Sequence, residues 1–326
     1  MVKVNESRFI VISPRNVICN SLMLPKFVVA NCNRSMKNIY VLLGVAAVIS
    51  FGACKEKGPI IDFGTTPVAS ETTYVAKIEA PDKKMVLVEE MTGASCVPCA
   101  PARVLLATIA AQHEGQVAVV ELHINTNPLS NPVSGYNKYD LRTTDGTDIA
   151  TTYYPDMIGI PSAGIDRVPV NNQKALGSTS WASAISNQLA KEPPVNVKIK
   201  STYDASSKNA TITVTASYTK AVSKKQFLSV IVLEKDIVDA QKTDTGVVKE
   251  YTFKHTFRDL ATGIGGDEFL KDLPTKDPGR VYERTFVYPV DANWKPEKCM
   301  VVAFVHNSDG NDKEVLQVAE GELAGQ

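Results

Sequence analysis

Apolar runs alternate with polar, turn-forming segments along most of the chain. Met85 to Met91 is mostly apolar and has the length of a buried strand, and Val117 to Ile124 is a second run of this kind. Between them, apolar and small residues recur at helical spacing from Arg103 to Glu114, and Gly115 suits the end of a helix. The order strand, helix, strand predicts a parallel βαβ unit.

The segments before and after this unit contribute further elements to the same predicted domain. Tyr74 to Glu79 has the pattern of a preceding strand, and a short helix is expected from Asp145 to Tyr154. Pro161 interrupts an apolar run, so it marks the start of a strand or a tight turn. A helix from Ser178 to Ala190 ends before Pro193. We predict an α/β domain spanning residues 74 to 192.

From Val195 onward the pattern changes to alternating strands with turn signals between several of them. No long helix is evident, so we predict an all-β, sandwich-like domain over residues 194 to 322. Residues 237 to 280 are expected to form a long connection that carries a binding surface. The predicted strands are Val195 to Ile199, Ile212 to Val214, Phe227 to Leu233, Val281 to Val290, Met300 to Val305 and Val315 to Ala319.

The charge distribution narrows the classes of partner. The whole chain has 35 Lys/Arg and 35 Asp/Glu, of which residues 1 to 53 contain six Lys/Arg and one Asp/Glu. The remainder therefore has 29 Lys/Arg and 34 Asp/Glu, a net charge of −5. A nucleic-acid partner is therefore not expected.

The N-terminal pattern indicates export. Met36-Lys37 is a short basic start, Ile39 to Phe51 is apolar, and Gly52-Ala53-Cys54 follows, so residues 36 to 53 are predicted to be a signal peptide. We expect translation to start at Met36, with residues 1 to 35 an upstream misassignment. The end of the run resembles the bacterial lipobox, which implies that Cys54 is lipidated and holds the protein on a membrane. Residues 54 to 73 then form a flexible tether. An uncleaved anchor is the alternative.

Two of the six cysteines, Cys96 and Cys99, are three residues apart at a predicted strand-to-helix junction. Free N–H groups and the positive end of the helix dipole favour a thiolate there. A zinc site would need two further ligands, and neither a second cysteine pair nor a histidine pair lies nearby. We predict no metal and no cofactor. Redox chemistry and a structural disulfide both remain open.

The first domain resembles thioredoxin in the order strand, cysteine pair, helix, strand, Ile160-Pro161 and closing helix. The resemblance implies that Cys96 attacks, that Cys99 resolves the mixed disulfide, and that Pro161 is a cis-proline shaping the substrate groove. Glu90, six positions before Cys96, matches the acidic residue that moves the resolving thiol's proton. A water-exposed carboxylate at a strand end is the alternative for Glu90.

The chain from residue 85 to 318 also resembles a family of Bacteroidetes outer-membrane lipoproteins with an adhesin- or receptor-like label, named after a twenty-eight-kilodalton outer-membrane protein. The matching segments are Glu89 to Gly93, Asp140 to Thr143, Ile165 to Arg167, His255 to Arg258 and Lys313 to Leu316.

This family resemblance implies a lipoprotein of the outer membrane that faces the periplasm or the cell surface. Our leading functional hypothesis is thiol–disulfide exchange on envelope or surface proteins. The alternative is a non-enzymatic, adhesin-like binding protein in which the second domain makes the contacts and the cysteine pair is structural.

Overall fold

The computed structural model describes residues 66 to 325. The predicted upstream segment, the signal peptide, Cys54 and most of the tether lie outside this range. All described residues belong to one compact unit. None of the described helices is long and apolar enough to cross a membrane.

The described chain is rich in β structure, and its three α-helices all precede residue 190. The helices are α1 (Cys99–Gln112), α2 (Thr144–Tyr153) and α3 (Trp181–Leu189). The strands are β1 (Val68–Val75), β2 (Val86–Thr92), β3 (Val117–His123), β4 (Ser162–Ile165), β5 (Val195–Asp204), β6 (Asn209–Tyr218), β7 (Gln226–Glu234), β8 (Ile237–Thr243), β9 (Gly246–Phe253), β10 (Thr256–Leu260), β11 (Asp267–Glu268), β12 (Arg280–Pro289), β13 (Cys299–Asn307) and β14 (Val315–Glu322).

The largest sheet has the strand order β14-β13-β7-β10-β3-β2-β4, and β11 also pairs with β7. It therefore crosses the boundary predicted between residues 192 and 194. The link is made where β10 pairs in parallel with β3, with Thr256 opposite Glu121. The N–H of Glu121 donates a hydrogen bond to the carbonyl of His255 at 2.8 Å. Strand β3 of the predicted α/β segment pairs with β2 on one side and with the later strand β10 on the other. The two predicted domains therefore share one sheet.

A four-stranded antiparallel sheet, β1-β12-β6-β5, forms the other layer. Its apolar face packs on one face of β7 and β13, as a sandwich requires. Within β7, Val230 and Val232 belong to this core, whereas Ile231 and Leu233 join the core on the opposite face. Both faces of β7 are buried, which explains its continuous apolar sequence.

Helices cover the two faces of the large sheet around β2 and β3. Leu106 of α1 and Trp181 of α3 pack with Val88 on one face. Ile149 of α2 packs with Leu87 on the other. Successive residues of β2 therefore enter different cores, and every residue of this strand is buried.

Two predictions about irregular segments are wrong. The strand expected at Tyr74 to Glu79 begins earlier, at Val68, inside the predicted tether, and pairs with β12 of the sandwich. Residues 237 to 280 contain the β8–β9 hairpin, β10 and β11 rather than one long loop. All of β1 and most of β9 is exposed, so neither strand shows the alternation of apolar and polar residues that reveals a half-buried strand.

Buried ion pairs fix the segment after β4. The guanidinium of Arg167 donates to both carboxylate oxygens of Glu89 in β2, at 2.7 and 2.9 Å, and the hydroxyl of Tyr154 donates to the same carboxylate. Next to it, Lys84 pairs with Asp166 at 2.9 Å. The carbonyl of Asp166 accepts the N–H of Val315, the first residue of β14. Segments that carried the family resemblance thus meet in one buried network.

Candidate active site

Cys96 and Cys99 form a disulfide between the end of β2 and the start of α1, with a Cα–Cα distance of 5.3 Å. The N–H of Cys99 donates to the carbonyl of Cys96 at 3.2 Å, which closes the turn that contains both residues. Each cysteine has 0% of its surface exposed. Only Val97 and Pro98, between them, have some contact with solvent.

Helix α1 begins four residues earlier than the sequence predicted, at Cys99 instead of Arg103. Pro101 lies in its first turn. A proline is tolerated there because the first N–H groups of a helix have no intrahelical acceptor. The earlier start brings Cys99 into the helix and places Cys96 in the turn just before it.

Glu90 lies inside the protein, two residues before the end of β2. Its exposed fraction is 0%, and neither carboxyl oxygen has a hydrogen-bond partner among the described residues. Burial, and to a smaller extent the neighbouring carboxylate of Glu121, raises the pKa of Glu90 to about 8. The carboxyl is therefore largely protonated at neutral pH, and it is not the water-exposed strand end that was its alternative.

Pro161 directly precedes β4 and follows Ile160 through a cis peptide bond. Strand β4 runs antiparallel to β2, with Ala163 opposite Glu90. Ile160 packs in the same apolar cluster as Cys96 and Cys99. The structure thus brings Cys96, Cys99, Glu90 and Pro161 to one end of β2. Cys54 lies outside the described residues.

The β8–β9 hairpin covers the cysteine turn, a relationship that sequence reasoning missed. The side-chain amide of Gln241 donates to the carbonyl of Cys96 at 3.0 Å. The N–H of Lys242 donates to the carbonyl of Ala94 at 2.8 Å. No local signal marks Gln241, because its partner lies 145 residues earlier in the chain.

Arg103 connects the helix to this hairpin. Its guanidinium donates to the side-chain carbonyl of Gln241 at 2.5 Å and lies over the rings of Tyr251 and Phe253, 4.9 and 4.8 Å from their centroids. His123, at the end of β3, packs edge-on against Phe253. Burial lowers the pKa of His123 to about 3, so it is neutral. The positive charge of Arg103 acts on the buried carboxyl of Glu90 and opposes the rise of its pKa.

The other cysteine, histidine and carboxylate side chains of the described residues do not form a metal site. Cys299 is a buried free thiol whose pKa is raised to about 12 by burial, which suits a packing role. Within residues 66 to 325, no three His, Cys, Asp or Glu side chains converge in a metal-binding arrangement.

Comparison with solved structures finds HBP35 of Porphyromonas gingivalis, with 17% identity over 75% of this chain and 77% of that chain and a TM-score of 0.55. This similarity indicates a shared fold. A protein from Agrobacterium tumefaciens matches with 13% identity, 76% and 97% coverage and a TM-score of 0.47. A domain of the outer membrane lipoprotein Omp28 from Porphyromonas gingivalis matches with 19% identity, 40% and 88% coverage and a TM-score of 0.27.

A search of curated proteins returns no match. The family model for outer membrane protein Omp28 matches residues 149 to 325. That range includes the segments around Arg167, Arg258 and Val315 that carried the resemblance in the sequence. Since the match spans more than half of the chain, this protein belongs to the Omp28 family of outer-membrane proteins and is located in the cell envelope.

Proposed function

We propose that the protein exchanges disulfides with the thiols of envelope proteins through Cys96 and Cys99. The observation that carries the proposal is a disulfide at a strand-to-helix junction, with a buried carboxyl at the end of the same strand. The two cysteines differ in place, since Cys99 lies in α1 and Cys96 lies in the turn before it. This difference gives them separate roles in the exchange.

The proposal includes a thioredoxin-like arrangement for residues 86 to 189. Its support is the parallel β2-α1-β3 unit, followed by α2, by β4 antiparallel to β2, and by α3. Pro161 occupies the position just before β4. In this arrangement, Pro161 and the cysteine turn border the groove for the substrate's sulfur-containing segment.

From the oxidised form, a substrate thiolate attacks the sulfur of Cys96. The bond between Cys96 and Cys99 breaks, and Cys99 leaves as a thiolate. A second substrate thiolate then attacks the mixed disulfide, which forms the substrate disulfide and releases Cys96 as a thiolate. Two electrons pass from substrate to protein. In the reverse direction, Cys96 attacks a substrate disulfide and Cys99 resolves it.

Glu90 moves the proton that the departing thiolate of Cys99 requires. A carboxyl with a pKa near 8 is mostly protonated at neutral pH and loses its proton at a pH only slightly higher. A group whose pKa lies close to the working pH is an efficient proton carrier. Replacing Glu90 by Gln keeps the shape of the side chain but removes the titration. The pH dependence of exchange above pH 7 should flatten in this variant.

The exchange requires access to Cys96, whose sulfur is enclosed in this conformation. The hairpin is held over the turn by hydrogen bonds from the side-chain amide of Gln241 and the backbone N–H of Lys242. We propose that the hairpin withdraws when a substrate binds.

Membrane attachment through Cys54 is part of the same proposal. A lipid on Cys54 would hold the folded body in the envelope, where its protein substrates are. Cys54→Ala in the full chain should release the protein from the membrane fraction, and mass spectrometry of the N-terminal peptide should detect the acyl chains in the unaltered protein.

Substrate trapping tests the exchange. Cys99→Ala should accumulate mixed disulfides through Cys96, visible as higher-mass species that collapse on reduction. Cys96→Ala is the matched control, because the proposal assigns the bond to substrate to Cys96, and the remaining Cys99 should form no mixed disulfide. If the two variants trap equally little in cells with an oxidising envelope, the exchange proposal is wrong.

A second function is favoured by the complete burial of both sulfurs, which suits a structural disulfide. In that case the protein is an adhesin-like surface binder, and its contacts come from the later strands and the segment 237 to 280. The double variant Cys96→Ala/Cys99→Ala would then keep its binding to envelope or surface proteins. Loss of binding in a double variant that remains folded would exclude this function.

A further inference from the structure

A groove runs between α1 and the end of β9 with the segment that follows it, beside the cysteine turn but separate from it. Its volume is about 470 Å³. Val104, Ala107 and Ala111 form the helix side, and Tyr251 lines the opposite side. These helix side chains are exposed, so the groove is open to solvent. Its walls are mostly apolar, as is usual for a small-molecule site.

The polar groups of the groove include an unusual pair of buried carboxyls. Glu90 in β2 and Glu121 in β3 stand opposite each other in parallel register. Both line the groove, yet their exposed fractions are only 0% and 3%. Both oxygens of Glu90 and Oε2 of Glu121 have no hydrogen-bond partner among the described residues. A buried acceptor without a partner has lost its hydrogen bonds to water and gained none in return, so the pair is suited to a ligand that donates several hydrogen bonds.

The charges around the pair favour a cationic donor. Among the described residues, Arg103 of α1 is the buried cation whose charge acts on Glu90; its Nη2 donates to Gln241 and its guanidinium lies over two aromatic rings, while Nη1 has no hydrogen-bond partner. Lys254 is exposed at the edge of the groove. Burial lowers the pKa of His255, and the pKa of the facing Tyr251 is raised, so both are neutral near pH 7. With both carboxyls ionised, as in a complex with a cation, two negative charges would face one buried cation.

We propose that this groove binds an ammonium group carried on an unbranched aliphatic stem. The ammonium lies between the carboxyls of Glu90 and Glu121, and its three N–H donors match their three unpaired oxygens. The stem lies along Val104 and Ala107. A free alkylamine and a lysine side chain share this chemistry.

Binding is coupled to proton release. The pKa of Glu90 is raised to about 8 by burial and by Glu121, so its carboxyl is largely protonated at neutral pH without a ligand. An ammonium stays charged at this pH and favours the ionised carboxyl. Complex formation should therefore release up to about one proton, and affinity should increase from pH 6 to pH 8.

The inference does not depend on thiol exchange, because no sulfur takes part in the binding. It is tested on the oxidised full chain, with the Cys96–Cys99 disulfide intact. A failed substrate trap would leave this inference standing, and failure to bind an amine would leave the exchange proposal standing.

Isothermal titration calorimetry with hexylamine is the direct experiment, with hexan-1-ol as the matched neutral probe. We expect hexylamine to bind and the alcohol to bind about tenfold to a hundredfold more weakly, the ratio expected for losing charged hydrogen bonds. Titrations in two buffers of different ionisation enthalpy count the protons released. Equal binding of amine and alcohol, or no binding of the amine, would overturn the proposal.

Variants locate the ligand. Glu121→Gln should weaken hexylamine about tenfold or more by removing one carboxylate. Ala107→Leu should obstruct the stem, whereas Gln112→Leu, exposed on the same helix but outside the groove, is the matched control. All three positions are checked for folding by circular dichroism. If Glu121→Gln and Ala107→Leu bind the amine as tightly as Gln112→Leu does, the ligand is not in this groove.

A second pair of probes distinguishes a lysine side chain from a free alkylamine as the ligand. A short peptide with one lysine is compared with the same peptide acetylated at that lysine. Binding of the lysine peptide alone supports a protein side chain as the ligand, and binding of hexylamine without the peptide supports a free amine. If the acetylated peptide binds as well as the unmodified one, the ammonium is not what the groove recognises.

Discussion

The side-chain amide of Gln241 donates a hydrogen bond to the backbone carbonyl of Cys96 at 3.0 Å, across 145 residues of chain. Its own carbonyl accepts from the guanidinium of Arg103 in the helix that begins at Cys99. One buried glutamine therefore joins the hairpin, the helix and the cysteine turn. The reactivity of the disulfide is expected to depend on how firmly this residue holds the hairpin.

Replacing Gln241 by Ala should accelerate reduction of the Cys96–Cys99 disulfide. The change leaves the carbonyl of Cys96 and one N–H group of Arg103 without their partner, which weakens the cover by about 1 to 2 kcal/mol and raises the rate roughly fivefold to thirtyfold. The rate is measured by alkylating free thiols at intervals after adding dithiothreitol. Thr245→Ala, at the exposed turn of the same hairpin, is the control. Equal rates in both variants would show that the hairpin does not limit access.

The free energy of unfolding should decrease between about pH 4.5 and pH 8 because of Glu90. The pKa of this carboxyl is 4.5 in an unperturbed chain and about 8 in the folded protein. Between these values the folded state binds more protons than the unfolded state, so raising the pH favours unfolding. Above pH 8 both states are ionised, and the contribution becomes constant.

Urea denaturation of Glu90→Gln tests this dependence. The variant should gain stability relative to the unaltered protein as pH rises from 5 to 8, on the order of a few kcal/mol. Glu114→Gln, an exposed position just after α1, should leave the curve unchanged. Parallel pH profiles for Glu90→Gln and the unaltered protein would contradict the burial of a protonated carboxyl.

Removing one partner of the Arg167–Glu89 pair should be costly. Both side chains are 1% exposed, so Arg167→Met leaves an uncompensated carboxylate in the core and costs about 3 to 5 kcal/mol. The double variant Glu89→Leu/Arg167→Met should recover part of this loss, because both charges leave together. Lys198→Met, in an exposed pair with Glu79, should cost only about 0 to 1 kcal/mol. Additive losses in the double variant would contradict direct coupling.

Gly164→Ala should destabilise the end of β4. An added Cβ would occupy the space of the Tyr154 ring, whose hydroxyl is bonded to Glu89. We expect a loss of about 1 to 3 kcal/mol, as for other overpacked cores. Gly159→Ala, with open space around it, should change stability by less than about 1 kcal/mol. Thermal unfolding of the two variants is the measurement, and equal melting temperatures would contradict the packing argument.

The sequence predicted the elements whose side chains face one or two apolar cores. Met85 to Met91 was recognised as a strand because its mostly apolar run is longer than a turn. The helix after Cys99 was recognised because its apolar residues recur at helical spacing. β9 was missed because most of its residues are exposed on both faces. A strand stabilised mainly by backbone pairing to β8 leaves little pattern in the side chains.

The sequence predicted only those residues of the candidate site that are marked by short motifs along the chain. The cysteine spacing and Pro161 are visible in the sequence, and Glu90 follows from its distance to Cys96 along the chain. Glu121 and Gln241 were not predicted, since the first depends on the register of β2 against β3 and the second on a contact with a distant hairpin. Burial of Glu90 likewise depends on elements that arrive later in the chain.

Equilibration of the Cys96–Cys99 couple against defined glutathione mixtures tests the central claim most directly. The reduced and oxidised fractions are separated by alkylation and mass spectrometry of the full chain. A couple that takes part in exchange should titrate reversibly, with a potential between about −270 and −120 mV, the range of known exchange proteins. A disulfide that stays oxidised below about −300 mV would behave as a structural cross-link and would contradict thiol exchange as the function of this site.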